Sequence, residues 1–232
     1  MARITRKELK SDKFALEVGH TVDFFGAHHK EIVRYGGFVL GAAVLVVGYM
    51  IYQRHQHAAR EEALARAIQV QEAAVGSSAT GGPAFPTQEA KDQEALRVFT
   101  DLGSKYSGSA EGEIAQYYVG SIKADQGKLA EAEKLFQQVA EKGDEKYASL
   151  AKLSLAQIYF ADGRADQGEK TLRDMMARPT IFVSREHAAI TLARYLMPLK
   201  PAEARKLLDP LKNQVGTVGQ LALTLYGELP PQ

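Results

Sequence analysis

The chain has 232 residues, 45% apolar and 25% charged, with a net charge of +1. That is enough apolar material for one full-sized core plus accessory segments, and it excludes wholesale disorder. The near-neutral balance excludes the broad basic field of a nucleic-acid binder, and the absence of cysteine removes disulfides, thiolate metal sites and cysteine nucleophiles together.

In chain order, residues 1–34 form a polar, basic tail. Thr5 and Glu8 stand at capping-box spacing, and Phe14, Val18, Val22 and Phe25 then make one helical stripe with Lys10 and Lys13 nearby. Such a tail reads either as a basic amphipathic helix on anionic lipid or as a short solvated helix.

Residues 35–53 carry no charge over 19 positions, with FVLGAAVLVVGYMIY at their centre. About 20 apolar residues cross a hydrocarbon core of ~30 Å. Arg34 and Arg54 bracket the run, and Tyr35, Tyr49 and Tyr52 stand near its ends, where amphipathic rings favour the interface. A buried core helix is the first alternative, but core helices are usually shorter and carry some polar residues. A cleaved leader is the second, since Ala63-Leu64-Ala65 resembles a cleavage site. The apolar run is too long for that, and charged residues separate it from the triplet. The segment is therefore expected to be an uncleaved signal anchor.

Seven Lys and Arg precede the span, and only Arg54, Arg60 and Arg66 occupy a comparable reach after it. The positive-inside rule then puts the N-terminus in the cytoplasm and the C-terminal bulk across the membrane. Within the span, Gly37 and Gly41 make a G-x-x-x-G pair and Gly48 falls near the same face. Small residues let helices approach closely, so these three are the candidate transmembrane packing residues; equally, glycine is simply common in membrane helices.

Residues 54–75 are alanine-rich with few breakers and predict a helical neck. GSSATGGPAFPT, residues 76–87, predicts a linker. Residues 88–232 then show internal similarity. Gly127 recurs as Gly163, 36 positions on, while Gly120 aligns with Ala156 and Phe136 with Leu172. A further shift of 37 places Ala193 at the same small-residue position. EALRVFTDL from Glu94 reads as a preceding half-unit, and PAEARKLLDPL from Pro201 as the end of a shortened C-terminal one. Each unit reads as an apolar helix, a glycine turn and an amphipathic helix, which resembles the tetratricopeptide pattern. It departs from that pattern in having no tryptophan, Lys123 where tyrosine is common, and Gly168 in place of alanine. The expected architecture is all-α: one N-terminal transmembrane helix followed by a degenerate tetratricopeptide α-solenoid.

Solenoids of this type bind peptide segments on a concave wall built from the first helix of each unit. The repeat phase puts Tyr117, Ser121 and Asp125 there in one unit and Leu153, Gln157 and Phe160 in the next, with His187 and Arg194 extending it. Tyr117 and Phe160 serve equally well as packing residues against neighbouring helices. Six histidines occur, including His28-His29 and His55-x-His57, none at a spacing with a known mechanism. No nucleotide-binding, hydrolase or metalloprotease motif is present, and the carboxylates alternate with Lys and Arg as on a solvated face. No catalytic residue, metal site or cofactor is expected, nor a nucleic-acid or small-molecule ligand.

This order of segments resembles the bacterial ancillary SecYEG translocon subunit family, the YfgM-like proteins. The resemblance implies an inner-membrane protein with its C-terminal domain in the periplasm, associating with the SecYEG translocon and with periplasmic chaperones. Its function would be that of a membrane-tethered protein–protein interaction scaffold assisting translocation. The alternative is a structural tetratricopeptide protein of the envelope or of cell division. The basic tail of residues 1–34 departs from the family order.

Overall fold

The computed structural model describes residues 6–76 and 84–230, with the side chains of Lys30 and of residues 33 onward. Thr5, the tail stripe from Phe14 to Phe25 and the His28-His29 pair lie outside that set. Two compact units divide the chain, Met1–Ala59 and Arg60–Gln232, and helix α1, Arg6–Glu72, contributes to both.

In the first unit, every side chain from Val33 to Gln53 is exposed. Valine, leucine and phenylalanine here face outward on all sides of the helix, with no apolar partner among the described residues. The 19 uncharged residues rise about 28 Å at 1.5 Å each. The helix is long and apolar enough to cross a membrane. A Cβ built on Gly37, Gly41 or Gly48 meets nothing within 4 Å among the described residues.

Among the described residues, the second unit's regular structure is helical apart from one short strand pair. After the end of α1 come β1 (Ala74–Val75), β2 (Ala84–Phe85), α2 (Gln88–Lys105), α3 (Ala110–Asp125), α4 (Leu129–Lys142), α5 (Glu145–Ala161) and α6 (Ala165–Ala177). Then follow α7 (Arg185–Leu196), α8 (Pro201–Leu208) and α9 (Thr217–Gly227). Helices α3/α4, α5/α6 and α7/α8 form successive hairpins, the last one shortened, and α9 closes the C-terminal end against α7 and α8. At the turns, Gly127 and Gly163 both take φ +74°, a conformation glycine adopts without strain. The next N–H then reaches back to the helix: Lys128 to Lys123 O at 2.9 Å and Arg164 to Tyr159 O at 2.7 Å.

Close approach between paired helices rests on small residues. A Cβ on Gly120 would lie 2.9 Å from Phe136 Cε1, so the ring of α4 sits directly on the glycine of α3. One unit later Phe160 covers Gly168, 2.6 Å from its virtual Cβ. The second helices share a stripe of a small residue, a large one four places on and an apolar one three further. It reads Ala95/Phe99/Leu102, Ala132/Phe136/Val139, Gly168/Leu172/Met175 and Ala204/Leu208/Leu211, all of it buried. The core divides into three clusters along the chain, centred on Phe99, Phe136 and Leu172.

The C-terminal part of α1, within the expected neck, packs against the repeat helices. Ala67 is only 2% exposed and shares a cluster with Ala95, Phe99 and Leu102. Residues 60–72 therefore pair with α2 in the half-unit recognised from Glu94. The ends of the Gly/Ser/Pro stretch are pinned: Ala74 and Val75 pair in parallel with Ala84 and Phe85, and Lys91 Nζ donates to Ala73 O at 3.2 Å. Residues 77–83 lie outside the described set. Arg60 adds an ion pair to the buried Glu111, 3.2 Å away at the start of α3.

The Phe160–Gly168 contact yields a test. Alanine is the better helix former by about 1 kcal/mol, yet its methyl group meets a ring held on its other side by Tyr195. Overpacking of this kind costs about 1–3 kcal/mol. Gly168→Ala is expected to destabilise the repeat unit in urea unfolding followed by circular dichroism. Gly168→Ala combined with Phe160→Leu is expected to recover most of the loss.

Candidate functional site

The first helices of the hairpins, α3, α5 and α7, superpose in sequence at spacings of 36 and 37. All three begin on side-chain caps: Ser109 Oγ accepts from Gly112 N, Asp144 Oδ1 from Tyr147 N and Ser184 Oγ from His187 N, each at 3.1 Å. This fixes their rotation. Two rows of equivalent positions then run from helix to helix. One row is Tyr117, Leu153 and Ile190. The other, one turn on, is Ser121, Gln157 and Arg194.

The first row is consumed by packing. Leu153, expected on the binding wall, is buried in the C-terminal cluster with Ile190 and Leu192. Tyr117 is half-buried, with ring centroids 5.6 Å from both Phe136 and Tyr147. Burial pushes its hydroxyl above the ordinary tyrosine range, against a hydrogen bond with Ser154. Phe160 also packs inward, stacked on Tyr195 at 4.2 Å and 3°. Sequence periodicity assigns these residues to a face, but not the depth to which the next unit buries that face.

The second row remains available. Gln157 and Arg194 are exposed and Ser121 is half-exposed. Asp125, at the end of α3, and His187, in the first turn of α7, are exposed as well. The candidate site is thus a polar strip carrying a carboxylate, an amide, a hydroxyl, an imidazole and a guanidinium. Its chemistry suits hydrogen bonding to a peptide backbone and to polar side chains.

Two further features join residues distant in the sequence. A chain of rings crosses the units: Phe99 stacks on Tyr118 at 4.6 Å, Tyr118 meets Tyr117 edge-on, and Tyr147 links Tyr117 to Phe182 at 5.7 Å. Burial and the neighbouring Tyr118 hydroxyl push Tyr147 up to about 12. The Tyr117-Tyr118 doublet was its only local signal. The ladder ends in the α6–α7 loop, where Ile181 is 87% exposed. Separately, a cavity of about 720 Å³ opens on the other side of α5, between α4 and α6.

Ion pairs couple successive units. The Arg164 guanidinium donates to both Glu133 oxygens, at 2.8 and 2.7 Å, and lies 4.6 Å over the Tyr159 ring. One unit on, Lys200 Nζ donates to Glu169 at 2.9 Å, across the same separation of 31 residues. Arg173 joins Glu169 to Glu203. The Lys200 and Arg173 bonds hold the Glu169 carboxyl below its usual range.

The tetratricopeptide repeat-like domain family matches residues 24–182. None of the curated proteins matches the sequence. Among solved structures, the chain is similar to a Podosopora anserina protein described as a putative kinesin light chain with nearly identical TPR-like repeats. A single-substitution variant of that protein superposes with a TM-score of 0.51 at 17% identity, over 61% of this chain and 78% of that one. The unsubstituted form gives 0.51 at 16% identity over the same shares. At these identities the likeness concerns the fold.

The Glu169 clasp sets a pH dependence. A carboxyl whose folded-state value is depressed contributes stability above its ordinary value of 4.5 and loses it as pH falls. Glu169→Gln is expected to lower stability at pH 7. Its stability should also vary less than that of the parent between about pH 5 and 3. Parallel acid unfolding curves for the two proteins would contradict the assignment.

Proposed function

The chain belongs to the tetratricopeptide repeat-like domain family, and on that premise we propose that it is a membrane-tethered scaffold that holds other proteins. Helical repeats of this kind serve characteristically as non-catalytic interaction surfaces. The observation that carries the reading is the row of Ser121, Gln157 and Arg194: one equivalent position in three consecutive units, left open while the row beside it is packed. A peptide lying across α3, α5 and α7 meets the row at regular intervals, with Asp125 and His187 as flanking polar contacts.

The tether is the apolar segment at residues 35–53. The excess of Lys and Arg before it favours a cytoplasmic N-terminus and an extracytoplasmic repeat unit. The order of tail, span and repeats supports partners in protein export at the bacterial inner membrane, namely the SecYEG translocon and periplasmic chaperones. Gly37, Gly41 and Gly48 offer the span a face for docking within the membrane.

Two measurements test this. A photo-crosslinking residue at Gln157 in native membranes is expected to capture a translocon subunit or envelope chaperone, whereas one at Lys170 on α6 is not. Equal capture from both positions, or none, would sink the concave-face reading. An alkaline phosphatase reporter fused after Gln232 is expected to be active, and a silent, well-expressed fusion would reverse the orientation.

A further inference from the structure

One edge of the repeat unit carries exposed apolar loop tips. Helices α4, α6 and α8 end at this edge and α5, α7 and α9 begin there, so the loops between successive hairpins share it. The turns within hairpins, with Leu199 in the last, lie at the opposite edge. Tyr147 at the start of α5 lies 5.7 Å from Phe182 in the α6–α7 loop. Arg185 at the start of α7 lines one cavity with Gln214 of the α8–α9 loop. Ile181 and Phe182 are exposed in the first of these loops, and Val215 is fully exposed in the second.

The bend at Thr180–Val183 sets Ile181 outward. Thr180 N–H donates to Val183 O at 2.9 Å, and Val183 N–H donates to Thr180 Oγ1 at 3.1 Å. That hydroxyl donates in turn to Ser149 Oγ on α5 at 2.9 Å, and the Val183 side chain is buried. The loop and its flanks read RPTIFVSR, with two arginines and no carboxylate. Arg178 and Arg185 are exposed, and neither forms an ion pair among the described residues. The carboxylates Glu113, Asp144, Glu145 and Glu186 belong to helix starts, where they complement the helix dipoles. In the α8–α9 loop Asp209 is paired with Lys212. Projecting apolar side chains flanked by guanidinium groups suit a bilayer interface, where the apolar tip enters and the cation meets phosphate.

The chain enters the unit at this same edge. Arg60, its first residue, pairs at 3.2 Å with Glu111 in the first turn of α3. The uncharged run ends at Gln53, seven positions earlier. Few residues of chain therefore separate this edge from any bilayer that the run crosses. We propose that the loops at 178–185 and 209–216 dock on an anionic lipid surface, with Ile181, Phe182 and Val215 entering the interface and Arg178 and Arg185 meeting the phosphates. The proposal rests on the membrane-tethered reading and adds a second lipid contact to the span.

Because the chain has no cysteine, one introduced thiol can carry a nitrobenzoxadiazole label at a chosen site. The full chain is placed in nanodiscs of equal parts phosphatidylcholine and phosphatidylglycerol, with and without a lipid bearing a nitroxide near its headgroup. The label on Val215→Cys is expected to be quenched at least about twofold more than the label on Leu199→Cys at the opposite edge. Ile181→Asp, and separately Arg178→Glu with Arg185→Glu, alter exposed side chains and are expected to bring the Val215→Cys signal down to the Leu199→Cys level. Equal quenching at the two sites overturns the proposal, as does quenching indifferent to these substitutions. A label on Tyr52→Cys reports on the span. Quenching there with none at Val215→Cys leaves the tether standing and overturns the docking alone, whereas none at either site overturns both. A blue-shifted Val215→Cys label that the nitroxide lipid leaves unquenched would assign the edge to a protein neighbour and overturn the lipid assignment.

Discussion

The helix pairs of the repeat unit depend on a bulky side chain seated on a residue with little or none. Phe136 on Gly120 and Phe160 on Gly168 bring backbones close enough for the rest of each interface to interdigitate. Dense packing leaves little room for compromise at such points, because a single methyl group there displaces a ring that other residues hold. The same contact explains why the pattern tolerates degeneracy. Tryptophan is absent and one consensus alanine is glycine. In the second full unit the space is filled by Phe160 from the first helix, so volume is conserved although the identities change.

Charge is arranged against local preference for a tertiary reason. Helices α4, α6 and α8 begin on Lys128, Arg164 and Lys200 without a side-chain cap, although a basic residue at a helix N-terminus opposes the helix dipole. Two of the three reach back to a carboxylate on the preceding unit's second helix, Arg164 to Glu133 and Lys200 to Glu169. Lys128 has no such partner because Arg97 occupies the matching position, and Arg97 is held instead by Glu94 and Asp101 on its own helix. This form of electrostatic coupling thus begins at the α4–α6 interface. The interface before it is tied instead by Arg60 and the buried Glu111 of α3, a pair costly to break once desolvated.

The first unit obeys a different solvent rule. Valine, leucine and phenylalanine lie on all sides of a helix long and apolar enough to cross a membrane, with no covering partner among the described residues. The second unit alternates buried and exposed positions at helical period, as a water-soluble solenoid does.

Sequence by itself determined the elements whose signals are local. The uncharged run at 35–53, the glycine turns at Gly127 and Gly163, the small positions at Gly120, Ala156 and Ala193 and the all-helical repeat all follow from composition and period. Gln157, Arg194, Asp125 and His187, expected on the wall from the repeat phase, are exposed. Tertiary structure decided which residues the neighbouring units cover. Leu153 and Phe160 share a face with Gln157 by period, yet the next unit buries the leucine and stacks a tyrosine on the phenylalanine. Residues 60–72 joined the repeat through contact with α2 and α3, because the Gly/Ser/Pro-rich sequence at 76–87 interrupts the regular spacing that would have linked them. Period fixes the direction in which a side chain leaves its helix; whether it meets water or another helix depends on residues some 31 places away in the chain.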